Sequence, residues 1–195
     1  MRVTGGNMRG QSIRVPRVAV RPTQDRVREA LFSALQTIIP DARVLDLFAG
    51  SGALGIESLS RGAAHVTWVE TDARVFPILR KNVEAICGRD TDPAARRCVR
   101  ADVFSFLRKG LAPPGFDVIF ADPPYQKGAH EEALAAADRL LTAVAASGLL
   151  APGGIFALEQ DAGEPEPESS AWELIRDKRY GGSRLRFFKA KGDEA

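Results

Sequence analysis

The chain has 195 residues, 45% of them hydrophobic and 27% charged, with a net charge of +2. That length and balance describe one globular domain with room for a small appendage, and two full domains would be crowded. No apolar run reaches the roughly 18 to 20 residues that cross a bilayer. The opening MRVTGGNMRG lacks the apolar stretch of a secretion signal, and Cys87 and Cys98 show neither metal-site spacing nor disulfide density. A cytoplasmic location without membrane contact is therefore expected.

Residues 1 to 21 alternate short β-like pieces, Arg2 to Thr4 and Ser12 to Val15, around Gly5, Gly6 and Gly10, the pattern of a small hairpin. The reading is a basic β-hairpin extension over 1–22 and a main domain over 23–195. Seven arginines (2, 9, 14, 17, 21, 26 and 28) share residues 1 to 28 with one acid, Asp25, so this segment carries +6 and the remainder −4. Guanidinium groups bind phosphate bidentately, and such contacts dominate affinity for nucleic acid. Arg9, Arg14, Arg17, Arg21 and Arg26 are accordingly the candidate nucleic-acid contacts; a solvated strand charged for solubility is the plainer reading.

RPTQDRVREALFSALQTII comes next, with Thr23 able to cap, Val27, Leu31, Leu35 and Ile38 at helical spacing, and Pro40 ending the run. This predicts an amphipathic helix. From Arg43 a strand-then-helix rhythm sets in: RVLDLFA then a helix over Ala53 to Arg61, HVTWVE then Ala73 to Ile86, CVRAD then Val103 to Arg108, FDVIFAD then Glu131 to Ala146. Near-continuous apolar strands separated by helices indicate a parallel α/β sheet covered on both faces. GGIFALEQ supplies a fifth strand, and AWELIRDKRY and SRLRFFKA, joined at Gly181 and Gly182, a C-terminal β-hairpin. The expected fold is a mostly parallel, seven-stranded Rossmann-like sheet.

The first strand runs into AGSGALG, with Gly50, Gly52 and Gly55 at the turn into a helix, where glycine lets the backbone approach a ligand. Dinucleotide enzymes use a related turn, but here Asp46 stands four residues before the first of these glycines. An anionic pyrophosphate is repelled by that carboxylate, whereas a cofactor bearing a sulfonium and an ammonium group is welcomed. Asp46, Phe48, Ala49, Gly50, Ser51 and Gly52 form the candidate cofactor loop. Glu70, at the end of the second strand with Thr71 beside it, can accept from both ribose hydroxyls. Asp102, followed by Val103, can receive an adenine amino group or cap the next helix, and the two roles are compatible.

The fourth strand delivers Asp122, Pro123, Pro124 and Tyr125. An exocyclic amine of a nucleobase is a poor nucleophile because its lone pair is delocalised into the ring. The Asp122 carboxylate, which also borders the cofactor, and the Pro123 carbonyl can each take one N–H and localise that lone pair on nitrogen. Consecutive prolines fix the direction of the carbonyl, and Tyr125 can stack on the base. Neither cysteine lies near this motif, which disfavours the covalent route of carbon-5 methylation, and His65 and His130 form no acid/base or metal constellation.

GGNMRG, RPTQDRVREALF, DLFAGSGALGIESLSRGA, the strand ending in Glu70 and DPPY together resemble the bacterial family that methylates N2 of a guanine in 16S rRNA of the small ribosomal subunit, over nearly the whole chain. RPTQDRVREALF is the most specific of these. The resemblance implies a class I methyltransferase fold, S-adenosylmethionine as donor, and guanine in small subunits or their assembly intermediates as substrate. It also implies that the hairpin and Arg21 to Arg28 face RNA and close over the cofactor. Tyr125 stands where some members carry phenylalanine. A monomer is adequate for this reading. N6-adenine methylation of DNA remains an alternative, because DPPY serves that amine equally well, although the chain has no separate target-recognition domain. A non-catalytic RNA-binding assembly factor is a third, against which the intact Asp46, Glu70 and Asp122 argue.

Overall fold

The computed structural model describes residues 1–15, 25–88, 91–110, 115–123, 130–167 and 169–192. In chain order its elements are α1 (Asp25–Ala34), β1 (Arg43–Leu47), α2 (Ala53–Ser60), β2 (His65–Glu70), α3 (Phe76–Cys87), β3 (Arg96–Arg100), α4 (Val103–Lys109), β4 (Phe116–Ala121), α5 (His130–Ser147), β5 (Leu150–Asp161), β6 (Trp172–Tyr180) and β7 (Ser183–Ala190). The strands form one sheet in the order β3-β2-β1-β4-β5-β7-β6. Strands β1 to β5 are parallel, and β7 runs antiparallel between β5 and β6. The expected mixed sheet with a terminal hairpin is what forms.

Period-two alternation sorts the strand residues onto two faces. Val44, Val118, Phe120, Ile155 and Ala157 join a core with Phe32 of α1, Ile56 of α2 and Leu79 of α3. Leu45, Leu47, Ile119, Phe156 and Leu158 join the opposite core with Leu107 of α4 and Leu141 of α5. Strand order reverses between β1 and β4, which opens the crevice at the carboxyl edge where ligands of such sheets bind. No helix among the described residues is long and apolar enough to cross a membrane.

Two helices depart from expectation. Helix α1 ends at Ala34, short of Pro40: Ile38 N–H donates to the Leu35 carbonyl, tightening the chain into turns through the β-branched run Thr37 to Ile39. Helix α3 starts at Phe76, not Ala73, because Asp72 Oδ1 accepts from the N–H of Arg74 at 2.7 Å and holds a turn there, leaving Pro77 in the first helical turn. The expected N-terminal hairpin forms, with Arg2 bridged antiparallel to Ser12, Val3 N–H donating to the Gln11 carbonyl at 3.0 Å and Ile13 N–H to the Met1 carbonyl at 2.9 Å. Its side chains enter the main core, with Val3, Met8 and Ile13 buried. The expected Thr23 cap lies outside the described residues.

What draws the N-terminal segment inward is a fully buried carboxylate on α2, a helix whose eight residues are all buried. Glu57 accepts from Thr4 N–H at 2.8 Å, Thr4 Oγ1 at 2.8 Å, Gly5 N–H at 2.7 Å and Arg61 Nε at 2.8 Å. Arg28, also fully buried, places Nε 3.7 Å from Glu57 Oε2 and donates to Asp25 at 2.9 Å, to the Arg2 carbonyl and to Met1 Sδ. Ser60 accepts Met8 N–H at 2.9 Å and donates to the Gly5 carbonyl at 2.6 Å. Gly6, at φ 78°, passes so close that a Cβ would sit 1.7 Å from the Ser60 carbonyl oxygen.

Replacing Glu57 by Gln keeps the shape and one acceptor but removes the counter-charge of a buried guanidinium. Because Asp25 still pairs with Arg28, the expected loss is roughly 2–3 kcal/mol, below the 3–5 of a fully stranded charge. It would be read as a lower urea midpoint at unchanged slope, and an unmoved midpoint would contradict the account.

Candidate active site

Strand β1 ends at Leu47, and the chain turns through three left-handed residues: Phe48 at φ 58°, Gly50 at φ 54° and Gly52 at φ 84°. A non-glycine residue at positive φ is uncommon and is a form of strain that concentrates at ligand sites. Gly52 caps α2, and a Cβ on it would lie 2.5 Å from Leu79 Cδ1. Gly55 has a different role, since its Cβ would fall 2.1 Å from Trp68 Nε1, so it lets the helix lie against β2. Trp68 Nε1 donates to the Gly52 carbonyl at 3.2 Å, and Ala49 N–H to the Val69 carbonyl at 3.0 Å, which seats the loop on β2.

Sheet register gathers the acids. Leu47 pairs with both Val69 and Ala121, so Glu70 and Asp122 each stand one residue beyond the last pair of the central strand. Glu70 accepts Gly50 N–H at 2.8 Å with Oε2 and Asp72 N–H at 2.7 Å with Oε1, which fixes its orientation at the loop. Asp46, 2% exposed, accepts Gly55 N–H at 3.0 Å. Burial pushes the Asp46 carboxyl well above the ordinary aspartate range; the Gly55 N–H opposes that, and the charges of Asp122 and Glu70 add to it. Three carboxylates thus act on one another at the ends of β1, β2 and β4. A cation placed among them would relieve both the burial cost and the mutual repulsion.

Asp102 is exposed and caps α4, accepting Ser105 N–H at 2.8 Å, a bond that holds its carboxyl below the usual range. Val103 is buried and Thr71 exposed. Asp122 and Pro123 are half-buried at the end of β4, while Pro124 and Tyr125 lie outside the described residues. His65 starts β2, at the opposite end of the sheet, with its ring nitrogens 3.2 Å from the Ala94 carbonyl and 3.1 Å from Thr67 Oγ1. Cys87 is buried, and burial pushes the Cys98 thiol up to about 11, so both suit packing and not chemistry.

Of the arginines, Arg9, Arg14 and Arg26 are exposed, and Arg17 and Arg21 lie outside the described residues. Arg28 corrects the expectation that the whole Arg21 to Arg28 stretch faces RNA, because its guanidinium is consumed inside the fold. Two residues that matter here escape sequence reasoning. Glu57 could have been suspected as an acid within an otherwise small and apolar helix. Asn82 could have been noticed at a core position between Leu79 and Val83 and Ile86 on α3; its Nδ2 donates to the Ser51 carbonyl at 2.9 Å.

The family model described as conserved hypothetical protein 95 matches residues 1–189. The ribosomal RNA small subunit methyltransferase D of Escherichia coli K12 is 36% identical over 191 residues, covering 97% of this chain and 89% of that protein. The solved structure of yhhF from Escherichia coli superposes with a TM-score of 0.76 at 36% identity, covering 97% of each chain. A more distant solved protein, complexed with SAH, shares the fold at 15% identity with a TM-score of 0.66 over 84% of this chain and 49% of that one. Matched almost end to end in sequence and in structure, the chain belongs to the conserved hypothetical protein 95 family, together with the ribosomal RNA small subunit methyltransferases D.

Proposed function

We propose that this protein methylates the exocyclic N2 of one guanine in 16S rRNA, within the small ribosomal subunit or an assembly intermediate. Its class is that of its family, an S-adenosylmethionine-dependent rRNA methyltransferase. The observation that carries the finer reading is the register that sets Asp122 one residue, and Pro123 two, beyond the last pair with β1, with Asp122 acting on Asp46 beside Glu70 and the Gly50 to Gly52 turn. The bound cofactor supplies a methyl group on a positively charged sulfur. An Asp46 carboxyl destabilised as an anion by burial and by two neighbouring acids fits a cationic group, and Glu70, oriented by the Gly50 and Asp72 N–H groups, retains lone pairs for ribose hydroxyls. Asp102 and Val103 flank the adenine end, and Thr71 follows Glu70.

On the RNA side, the Asp122 carboxylate and the Pro123 carbonyl accept the two N–H groups of the amine, turning its lone pair toward the methyl group. As the nitrogen–carbon bond forms, the methyl–sulfur bond would break and leave a neutral thioether; the positive charge passes to the nitrogen, which then gives one proton along its hydrogen bond to the Asp122 carboxylate. By residue type alone, Pro124 would fix the direction of the Pro123 carbonyl and Tyr125 would stack on the base. Arg9, Arg14 and Arg26, with Arg17 and Arg21, bind phosphate. One copy of the chain suffices, working in the cytoplasm.

Labelled methyl transfer to small subunits, naked 16S rRNA and duplex DNA in parallel, with nucleoside analysis, tests the reading. N2-methylguanosine is expected in rRNA, and N6-methyladenine in DNA would overturn the substrate. Asp122→Asn is expected to cut kcat by about 100-fold or more, with a smaller loss of cofactor affinity from the charge removed beside Asp46, because the positioned amine loses its anionic partner; near-normal kcat would sink the acceptor-pair mechanism.

Asp46→Asn separates function from stability. A carboxyl raised above its unfolded value near 3.9 makes the fold less stable as pH climbs from there through the folded value. Asparagine removes that cost and still accepts the Gly55 N–H. The cofactor-free variant should therefore melt a few degrees above wild type at pH 7 to 8, with the gap closing toward pH 4, while cofactor affinity falls about tenfold, the equivalent of about 1.4 kcal/mol. A lower melting temperature at neutral pH would contradict the assignment of Asp46.

Replacing Arg9, Arg14 and Arg26 together by alanine should flatten the log-affinity against log-salt slope for RNA by about 2 units, at roughly 0.7–0.9 per lost phosphate contact. An unchanged slope would make them ordinary surface charges.

A further inference from the structure

Asn82 is 2% exposed on α3, in line with Leu79, Val83 and Ile86. Asparagine is a poor residue for a helix interior, and a buried amide is costly unless its polar atoms are used. Here both N–H groups of Nδ2 are used, one by the Ser51 carbonyl at 2.9 Å and one by the Arg14 carbonyl at 2.9 Å, while Oδ1 accepts the Arg14 N–H at 3.1 Å. The carboxamide binds the main chain of Arg14 on both sides, as a neighbouring strand would. Ser51 lies between the two left-handed glycines of the cofactor loop, and Arg14 follows the buried Ile13 and carries an exposed guanidinium. One side chain therefore joins the loop to the arginine-bearing arm, residues distant in sequence and meeting nowhere else through a side chain among the described hydrogen bonds.

We propose that Asn82 is a positioning residue that couples the two ligand sites, so that a cofactor seated on the Gly50 to Gly52 turn strengthens RNA binding through the arm. The inference rests on the methyltransferase reading above. A cofactor that fixes the loop fixes the Ser51 carbonyl, which holds the carboxamide, which holds Arg14. Ordering backbone costs about 1–2 kcal/mol per residue, so an arm already held by Asn82 meets less of that cost when RNA arrives. Linkage makes the effect reciprocal: RNA must tighten cofactor binding by the same factor.

The test measures the affinity of unmethylated small subunits with and without SAH, and of SAH with and without subunits. In the wild type, each ligand should tighten the other by about 5-fold or more. In Asn82→Ala both factors should fall below about 2-fold, while SAH alone still binds. A purely structural role would weaken both ligands without touching the ratio. Should Asn82→Ala fail to fold, two arm variants carry the test. Arg14→Ala loses the charge but keeps the peptide N–H, and should retain the factor; Arg14→Pro removes the N–H that Asn82 Oδ1 accepts, and should lose it. Independent affinities in the wild type, or a full factor kept in Asn82→Ala or in Arg14→Pro, would overturn the coupling and leave the methyltransferase reading intact. Absence of SAH binding and methyl transfer in the wild type would instead remove that reading, and the coupling with it.

Discussion

A carboxylate sealed inside the protein sets the terms for everything around it. Glu57 is fully buried on a helix that is itself buried on every side, and an unpaired anion there would cost far more than the fold's net stability. Its partners come from three places: the N-terminal segment through Thr4 and Gly5, α1 through Arg28, and α2 itself through Arg61. The N-terminal residues are for that reason part of the main core. The consequence reaches the site, because α2 is the helix whose other end carries the cofactor loop. Glu57 and Ser60 hold its carboxyl end against the N-terminal segment, and Gly55 sets its depth against Trp68. The loop is aimed from behind.

At the front of the same helix the physics runs the other way. The register of β1, β2 and β4 sets Asp46, Glu70 and Asp122 where they repel one another, and the first of them is buried. An arrangement that gives Glu57 four hydrogen bonds and a nearby buried guanidinium, while Asp46 accepts the Gly55 N–H, is not uniformly optimised. Local conflict of this kind is expected at a site that a positively charged ligand completes, since the binding energy includes the relief of the repulsion.

Most of the sheet is legible in the sequence because parallel strands buried on two faces must be apolar at consecutive positions. Val44 and Leu45, or Val118, Ile119 and Phe120, face alternate cores and leave no polar interruption. The glycine turn and the acids at strand ends are legible for a related reason: strand ends are fixed by where the apolar run stops. Element boundaries at α1 and α3 are not, because they depend on a tightened turn at Leu35 and on a side-chain cap from Asp72. Long-range polar partners are hidden altogether. Nothing near Glu57 points to Thr4, 53 residues earlier, and nothing near Asn82 points to Arg14, 68 residues earlier.

The stretch RPTQDRVREALF shows why a count of charges misleads. Arg26 and Arg28 are two residues apart, which on a helix is a rotation of about 200°, so they cannot share a face. Val27, Arg28, Leu31 and Phe32 form the buried stripe of α1, and Arg26 is left in solvent. One arginine is available to phosphate and the other is committed to the core. The segment's basicity therefore overstates its electrostatic reach by the charge that Arg28 spends on Glu57 and Asp25. What makes the motif so specific is then in part a folding requirement: an arginine here, an acid on α2 and a threonine near the start of the chain must be present together, or the helix that carries the cofactor loop loses its anchor.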